Sequence, residues 1–286
     1  MKIRFQLDSP LLFKYCDPRG VEILKHLKLK ITPPIEFNDP FEFMPKVDTG
    51  FTRDGIEKRL TSTKLMRGVW RKIAGDLDFE SFREAYMKEL RRPSARHVRG
   101  TLIELQSAAT RAKENMLTFM SRRFGVACYS EVADDILMWA HYAKSHQGLV
   151  IGFDVQHRFF RYGENLMPVI YRSERVDAYF GQRGLKLREP ILSIFRSKSP
   201  HWGYEREWRQ FFSLRKSAKV QTETGCPLWF QKLPPTAVSQ VILGSRCSPE
   251  MEHAVRDALK HRRFRRVQLR RAVLHERDFR LKLVDA

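Results

Sequence analysis

Two short, mainly apolar runs, residues 148–153 and 238–244, have the length of strands buried in a β-sheet. The first is apolar enough to lie at the centre of a sheet. Further strands are predicted at residues 11–15, 29–31, 125–130, 168–171, 205–214, around 267–269 and at 279–283. Because many of these strands follow one another as hairpins with few intervening helices, the order predicts an α+β fold with a mixed, largely antiparallel central sheet.

Helices are predicted where a capping side chain precedes an apolar pattern. Three such starts are Asp17 with Pro18, Asp134 or Asp135, and Ser248 with Pro249. The first helix should end near His26 and the second near Lys144. Residues 54–123 carry apolar residues at helical spacing, and we interpret them as a helical insertion, divided at Pro93, in a single domain of residues 1–286.

The chain has 286 residues and a net charge of +20, from 53 basic and 33 acidic residues. Such a charge favours association with polyanions such as nucleic acid. No apolar run is long enough to span a membrane, and the N-terminal residues lack the apolar core of a signal peptide. The four cysteines form no Cys-x-x-Cys pair, so we expect reduced thiols in a cytoplasmic protein.

Four motifs together resemble a known family. They are Leu12-Phe13-Lys14-Tyr15, Phe37-Asn38-Asp39-Pro40-Phe41-Glu42, Met138-Trp139-Ala140-His141-Tyr142-Ala143 continuing to Gly148, and Trp202-x-Tyr204-Glu205-x-Glu207-x-Arg209. Their order and spacing resemble the bacterial domain-of-unknown-function family twenty-nine seventy-one, over residues 11–283. The family name supplies no chemistry, and the resemblance implies only a role in phage defence or as a toxin.

The polar residues of these motifs are also similar in order to ADP-ribosyltransferases, which have a basic residue on an early strand, an aromatic residue or serine in the middle and a glutamate on a late strand. This resemblance implies NAD as co-substrate. It places Glu207, Glu205 and Tyr142 in catalysis, with Glu207 as the key carboxylate. The residues expected to bind the cofactor are Lys14, Tyr15, Ser130, Trp139 and His141.

The transfer of ADP-ribose explains why these residue types would be needed. Cleavage of the bond between nicotinamide and ribose develops positive charge, which a fixed carboxylate stabilises, while an aromatic ring stacks on nicotinamide. Glu205 and Glu207 on one strand would face the same way, and their repulsion would raise one of the two pKa values. No metal is expected, because His141 and His146 lie five residues apart rather than the four of a helical zinc pair.

Structural interpretations of the same residues stay open. Trp139, Tyr142, Trp202 and Tyr204 are also typical of a core, and Glu205, Glu207 and Arg209 of a surface ladder. If the late strand is buried, its carboxylates need a partner, for which Arg209 or Lys14 would serve. Asn38-Asp39-Pro40 is typical of a turn, or of a loop that closes over a site.

A non-enzymatic alternative is a nucleic-acid-binding module of a defence system. Residues 256–271 hold eight basic residues and one acidic residue. A face of this kind contacts phosphates without reading base sequence. Its predicted contacts are Arg262, Arg263, Arg265 and Arg266. A nuclease is a weaker alternative, because the sequence has no evident acidic metal-binding cluster.

Overall fold

A computed structural model describes residues 10–48, 60–73, 75–90, 96–161, 166–181, 184–223, 225 and 227–286. These residues form two compact units. The first is built from the described parts of Met1–Phe43, Leu117–Arg175 and Leu192–Ala286, and the second from those of Met44–Met116 and Val176–Ile191. No helix among the described residues is both long enough and apolar enough to cross a membrane.

Strands and helices are numbered in chain order. The strands are β1 Leu11–Cys16, β2 Lys28–Ile31, β3 Lys46–Asp48, β4 Phe124–Ser130, β5 Leu149–Asp154, β6 Leu166–Pro168, β7 Ile170–Tyr171, β8 Asp177–Gly181, β9 Gly184–Leu187, β10 Ser197–Lys198, β11 Glu207–Ser213, β12 Ala218–Val220, β13 Leu228–Lys232, β14 Val238–Leu243, β15 Gln268–Leu274 and β16 Leu281–Asp285. The helices are α1 Val21–His26, α2 Thr63–Ile73, α3 Phe79–Leu90, α4 Arg96–Ser121, α5 Ile136–Tyr142, α6 Arg158–Arg161, α7 Leu192–Arg196 and α8 Pro249–Leu259.

The first unit is organised around an eight-stranded sheet with the order β16-β15-β14-β5-β1-β4-β11-β6. All neighbouring strands are antiparallel except β14 and β15, which are parallel. The sheet confirms the predicted α+β class. Strand β5 lies near the centre and is buried from Leu149 to Phe153, as its apolar sequence predicted.

The second unit has helices α2 and α3, most of α4, and the small sheet β3-β8-β9. The predicted helical block therefore contains three helices among its described residues, while residues 54–59 lie outside them. Pro93 also lies outside the described residues.

Three neighbouring strands bring the candidate site together. Phe13 of β1 pairs with Ser130 at the end of β4, and Ser130 pairs with Glu207 at the start of β11. After Ser130 the chain leads into α5, whose N-cap is Asp135. The Asp135 side chain accepts a hydrogen bond from Met138 N at 2.9 Å. The register thus brings the ends of β1 and β4 and the start of β11 together, and α5 follows β4 in the chain.

The predicted strand at residues 205–214 is wrong at its beginning. Residues Pro200–Glu205 form a 3₁₀ helix, because Ser199 and Pro200 supply a cap and a first-turn proline. Arg206 then adopts a left-handed conformation with a φ of 43° and redirects the chain into β11. Glu205 and Glu207 are therefore not neighbours on one face of a strand.

Smaller differences have similar local causes. The predicted strand at 168–171 is divided into β6 and β7, which join different sheets. Helix α5 ends at Tyr142 because Lys144, Ser145 and His146 all have positive φ. Cys16, Cys128 and Cys247 are free thiols, and Cys226 lies outside the described residues.

Candidate functional site

A partly open cavity of about 140 Å³ lies in the first unit, beside the ends of β1 and β4 and the C-terminal end of α5. It is lined by six of the residues predicted for the site, which are Lys14, Tyr15, Ser130, Tyr142, Glu205 and Glu207. These residues come from four separate parts of the chain. Apolar rings, among them Phe13 and Tyr129, complete its wall.

Two predicted cofactor-binding residues lie away from this cavity. Trp139 is fully buried, its indole nitrogen donates to the carbonyl of Ala133 at 2.8 Å, and its ring packs edge-on against Tyr15. It is a core residue, because α5 turns this side of its apolar face towards the sheet. His141 points outward from the same helix, and its ring lies 6.4 Å from that of Tyr204.

Beneath the cavity lies a buried group of five ionisable side chains, the charge cluster, formed by Glu42, Lys198, Glu205, Glu207 and Arg209. Lys198 stands at its centre. Its Nζ lies 2.5 Å from Glu205 Oε2 and 3.0 Å from Glu207 Oε2. The same atom is 3.1 Å from Glu42 Oε1, close enough for an ion pair although it is not aligned as a hydrogen bond.

Arg209 is the second cation of the charge cluster and binds two of its carboxylates, Glu207 and Glu42. Its Nε and Nη2 donate to the two oxygens of Glu207 at 2.8 and 2.9 Å, and Nη2 also reaches Glu42 Oε2 at 2.5 Å. The remaining Nη1 donates to the carbonyl of Phe195 at 3.0 Å. This two-pronged contact is one that the planar guanidinium makes and an ammonium does not.

The burial of these groups decides between the structural interpretations. The interpretation of Glu205, Glu207 and Arg209 as a surface ladder is wrong, since all three are buried. Arg209 is the partner that a buried carboxylate requires. Lys14 is not, because its Nζ donates to the carbonyl of Cys128 at 3.3 Å.

Two members of the charge cluster were not predicted. Glu42 lies in the motif at residues 37–42, of which Asn38-Asp39-Pro40 was interpreted as a turn or as a loop that closes over a site. Asp39 does form a turn, since its side chain accepts a hydrogen bond from Phe41 N at 2.9 Å. Asn38 nevertheless lines the cavity, so the segment both turns and borders the site. Lys198 had no signal in the sequence, because its partners are carboxylates that only the fold brings close.

The outer edge of the charge cluster connects it to the cavity. The hydroxyl of Tyr142 donates to Glu205 Oε1 at 2.6 Å, while Lys198 occupies the other oxygen of Glu205. The backbone N–H of Glu207 donates to the hydroxyl of Tyr171 at 2.8 Å. The carboxylates are thus held in fixed positions at the cavity wall.

The two cavity carboxylates have opposite pKa shifts. Burial alone would raise the pKa of Glu207, but the charges of Arg209 and Lys198 outweigh it and lower the pKa to about 2. Burial raises the pKa of Glu205, and the charge of Glu207 adds to the rise against the opposing effect of Lys198. A pair of carboxylates separated in this way can divide the roles of permanent anion and proton acceptor.

The lowered pKa of Glu207 predicts a specific sensitivity to acid. Because this pKa is about 2 in the folded state against an ordinary value of 4.5, the unfolded state binds more protons between these values. The stabilising contribution is complete above pH 4.5 and is lost as the pH falls towards 2. We therefore expect the difference in free energy of unfolding between the wild type and Glu207→Gln to shrink over this range. Urea unfolding at a series of pH values measures it, and a constant difference would contradict the lowered pKa.

Comparison with known proteins bears on the later part of this site. Residues 138–210 match a family described as protein of unknown function (DUF2971). The matched stretch includes Tyr142, Lys198, Glu205, Glu207 and Arg209, but not β1 or residues 37–42. Neither the curated proteins nor the solved structures gave a match. Residues 138–210 therefore carry the pattern of the DUF2971 family, which confirms the resemblance seen in the motifs over this stretch.

Proposed function

We propose that this protein cleaves the bond between nicotinamide and ribose in NAD and transfers the ADP-ribose to an acceptor. The observation that carries the proposal is the meeting of a cation, a phenol and two carboxylates with opposite pKa shifts around one cavity. These are Lys14, Tyr142, Glu205 and Glu207. Their arrangement matches what the reaction requires, which is a fixed anion beside the developing positive charge and a group that takes up a proton.

The cavity is large enough for the nicotinamide ring of the dinucleotide but not for the whole molecule. Its volume of about 140 Å³ is close to the roughly 150 Å³ of an engineered cavity that holds benzene. One six-membered ring therefore fits, and a whole dinucleotide does not. In this proposal the nicotinamide ring enters among Phe13, Tyr129 and Tyr142, and the rest of the molecule lies outside.

The proposed step balances as follows. The C1′–N bond breaks and its electron pair leaves with nicotinamide, which becomes neutral, while the ribose becomes an oxocarbenium ion. Glu207, ionised throughout, stabilises that charge electrostatically. An oxygen or nitrogen of the acceptor then bonds to C1′, and its proton passes to Glu205. Lys14 contacts the ribose or the adjoining phosphate, beside Tyr15 and Ser130.

Transfer from NAD labelled in its adenylate phosphate tests this proposal. Purified protein is incubated with the label and with total cell protein or total RNA, in separate reactions. Label is expected in one of the two acceptor pools, and less of it with Tyr142→Phe, which removes the hydrogen bond to Glu205. Tyr179→Phe, a change on β8 in the second unit, serves as the matched control. No transfer to either pool by the wild type would contradict the proposal.

A second candidate function is nucleic-acid binding through the arginine face, defined as Arg262, Arg263, Arg265 and Arg266. These residues border an open groove of about 510 Å³. Arg263 donates to the carbonyls of Leu24 and Lys25 at 3.2 and 2.9 Å. The other three are exposed, and within the described part of the chain none of the four forms an ion pair with a carboxylate.

Like charges nearby support this candidate. Lys28 of β2 lies directly opposite Lys232 of β13, and both side chains are exposed. Like charges in this position repel, and a bound anion would relieve the repulsion. The backbone N–H of Leu233 donates to the carbonyl of Leu27, which keeps this lysine pair next to the end of α1. Arg263 donates to carbonyls of the same helix. The face therefore suits the phosphates of a nucleic acid.

Reversing the exposed charges tests the arginine face. We expect Arg262, Arg265 and Arg266 changed together to Glu to weaken binding of single-stranded or duplex DNA. The slope of log K against log salt should also become shallower by up to about three. Lys64, Arg71 and Lys72 of the second unit, changed to Glu, give the same change in net charge as a control. Equal effects of the two triple variants, measured by fluorescence anisotropy, would remove the face and leave only general charge.

A further inference from the structure

A second concavity, the aromatic groove, opens next to the cavity in the same unit. It has a volume of about 490 Å³. Its lining includes Asn38, Phe41, His141, His201, Trp202 and Tyr204. Two of them, Trp202 and Tyr204, belong to the motif at residues 202–209, and the sequence left open whether they lie in a core.

The rings of the aromatic groove are not packed as a core. Trp202 and Tyr204 are only half-buried, His141 is exposed, and Phe41 is 58% exposed. Neighbouring rings are tilted against one another, with ring centres 6.2 Å apart for Trp202 and Tyr204 and 6.4 Å apart for Tyr204 and His141. Half-exposed rings gathered in a concave surface form a platform on which a flat ring can stack.

Two cationic side chains lie against rings of this platform, and one of them, Lys198, is already paired with carboxylates of the charge cluster. The ammonium of Lys198, from the charge cluster, is 4.9 Å from the ring centre of Trp202. The guanidinium of Arg175 lies 5.4 Å from the ring centre of Phe41, and its side chain is exposed. Among the described residues Arg175 forms no ion pair with a carboxylate, so it is available to an anionic group of a ligand.

The aromatic groove adjoins the cavity directly. Asn38 borders both, and Tyr204 in the groove is followed at once by Glu205 in the cavity wall. A ligand whose one end occupies the cavity would therefore extend its remainder along the groove. The cavity admits a single ring, and the groove is more than three times its volume.

We propose that the aromatic groove binds the adenine nucleotide half of the dinucleotide, with the purine stacked on Trp202 and Tyr204 and a phosphate facing Arg175. That the nucleotide is part of NAD rests on the proposed function. Recognition of the purine itself does not, because it needs only the rings and the cation described above. The groove thus supplies the binding that a cavity of one-ring size lacks.

AMP alone is the probe that tests the groove, and calorimetric titration measures its binding. The wild type should bind AMP more tightly than ribose 5-phosphate, because only AMP carries the purine. Trp202→Leu should weaken AMP binding about tenfold, the effect of losing one stacked base. Trp229→Leu is the matched control, a half-buried tryptophan of β13 in the same unit. Equal binding of AMP and ribose 5-phosphate would overturn the proposal.

Variants that leave the charge cluster untouched keep this test decisive, since Trp202 also contacts Lys198. Phe41→Ser and His141→Ala alter exposed rings of the groove, and each should weaken AMP binding several-fold. Unchanged AMP affinity in both would overturn the proposal even if Trp202→Leu fails to fold.

The groove and the proposed function can fail separately. AMP binding that persists in Glu205→Gln, with no cleavage of NAD by the wild type, would retain the groove and remove the enzyme proposal. Cleavage of NAD with a KM unchanged in Phe41→Ser and His141→Ala would retain the enzyme proposal and remove the groove. Binding of oligoadenylate without binding of AMP would also remove it, because the site would then require a polymer.

Discussion

Replacing Arg209 with Met is expected to lower the free energy of unfolding by about 3–5 kcal/mol, the cost of leaving buried charge without its partner. Arg209 is fully buried and donates to Glu207, Glu42 and the carbonyl of Phe195. Its loss would leave three carboxylates of the charge cluster with Lys198 alone. Urea denaturation at neutral pH measures the change.

Matched variants separate the buried contacts from charge in general. Arg256→Met removes an arginine that pairs with Glu252 on the exposed face of α8, and it should cost under about 1 kcal/mol. Arg209→Lys should recover only part of the loss, because an ammonium does not reproduce the two-pronged contact with Glu207. A cost for Arg209→Met no larger than that for Arg256→Met would show that the charge cluster does not hold the fold together.

Changing Glu205 to Gln is expected to lower the rate of ADP-ribose transfer by about 10²–10⁴-fold, the usual contribution of a general base. Glutamine keeps the size of the side chain and still accepts a hydrogen bond from Tyr142, but it takes up no proton. Because Glu205 is not the partner of Arg209, the free energy of unfolding should change far less than in Arg209→Met.

The pH profile gives this prediction a second readout. A base acts only when deprotonated, so wild-type activity should be present above the pKa of Glu205 and fall as the pH drops through it. That pKa is raised by burial, which places the fall above the ordinary 4.5. Glu205→Gln should lack this fall in its residual activity. Glu131→Gln, which alters a carboxylate that accepts from Trp208 Nε1 at 2.6 Å outside the cavity lining, should retain it.

The central part of the fold could be predicted because its signals are local. The apolar run of β5 and the Ser248 cap of α8 each depend on neighbours in the chain, and both were confirmed. Glu205 was misplaced because a 3₁₀ turn and a left-handed Arg206 interrupt a pattern that otherwise is typical of a strand. A break of this kind depends on how β11 joins its sheet, which the local pattern does not report.

The candidate site could be predicted in its composition but not in its organisation. Lys14, Tyr142 and Glu207 were grouped from motif order, and the fold does place all three at one cavity. Lys198 was missed because its partners lie in two parts of the chain, at Glu42 and at Glu205 and Glu207, and the nearest of them is seven residues away. A raised pKa for one of the two glutamates was expected from their repulsion, and Glu205 has it. The lowered pKa of Glu207 was not expected, because it depends on the charges of Arg209 and Lys198.

Release of nicotinamide from NAD by the purified protein is the most direct test of the site described here. Chromatography follows free nicotinamide over time, with cell extract cleared of small molecules as the source of acceptor. A cavity that holds the ring beside Glu205 and Glu207 predicts release well above the spontaneous rate, and little release by Glu205→Gln. If nicotinamide release with the folded wild type and extract is no faster than with extract alone, this cavity does not cleave NAD.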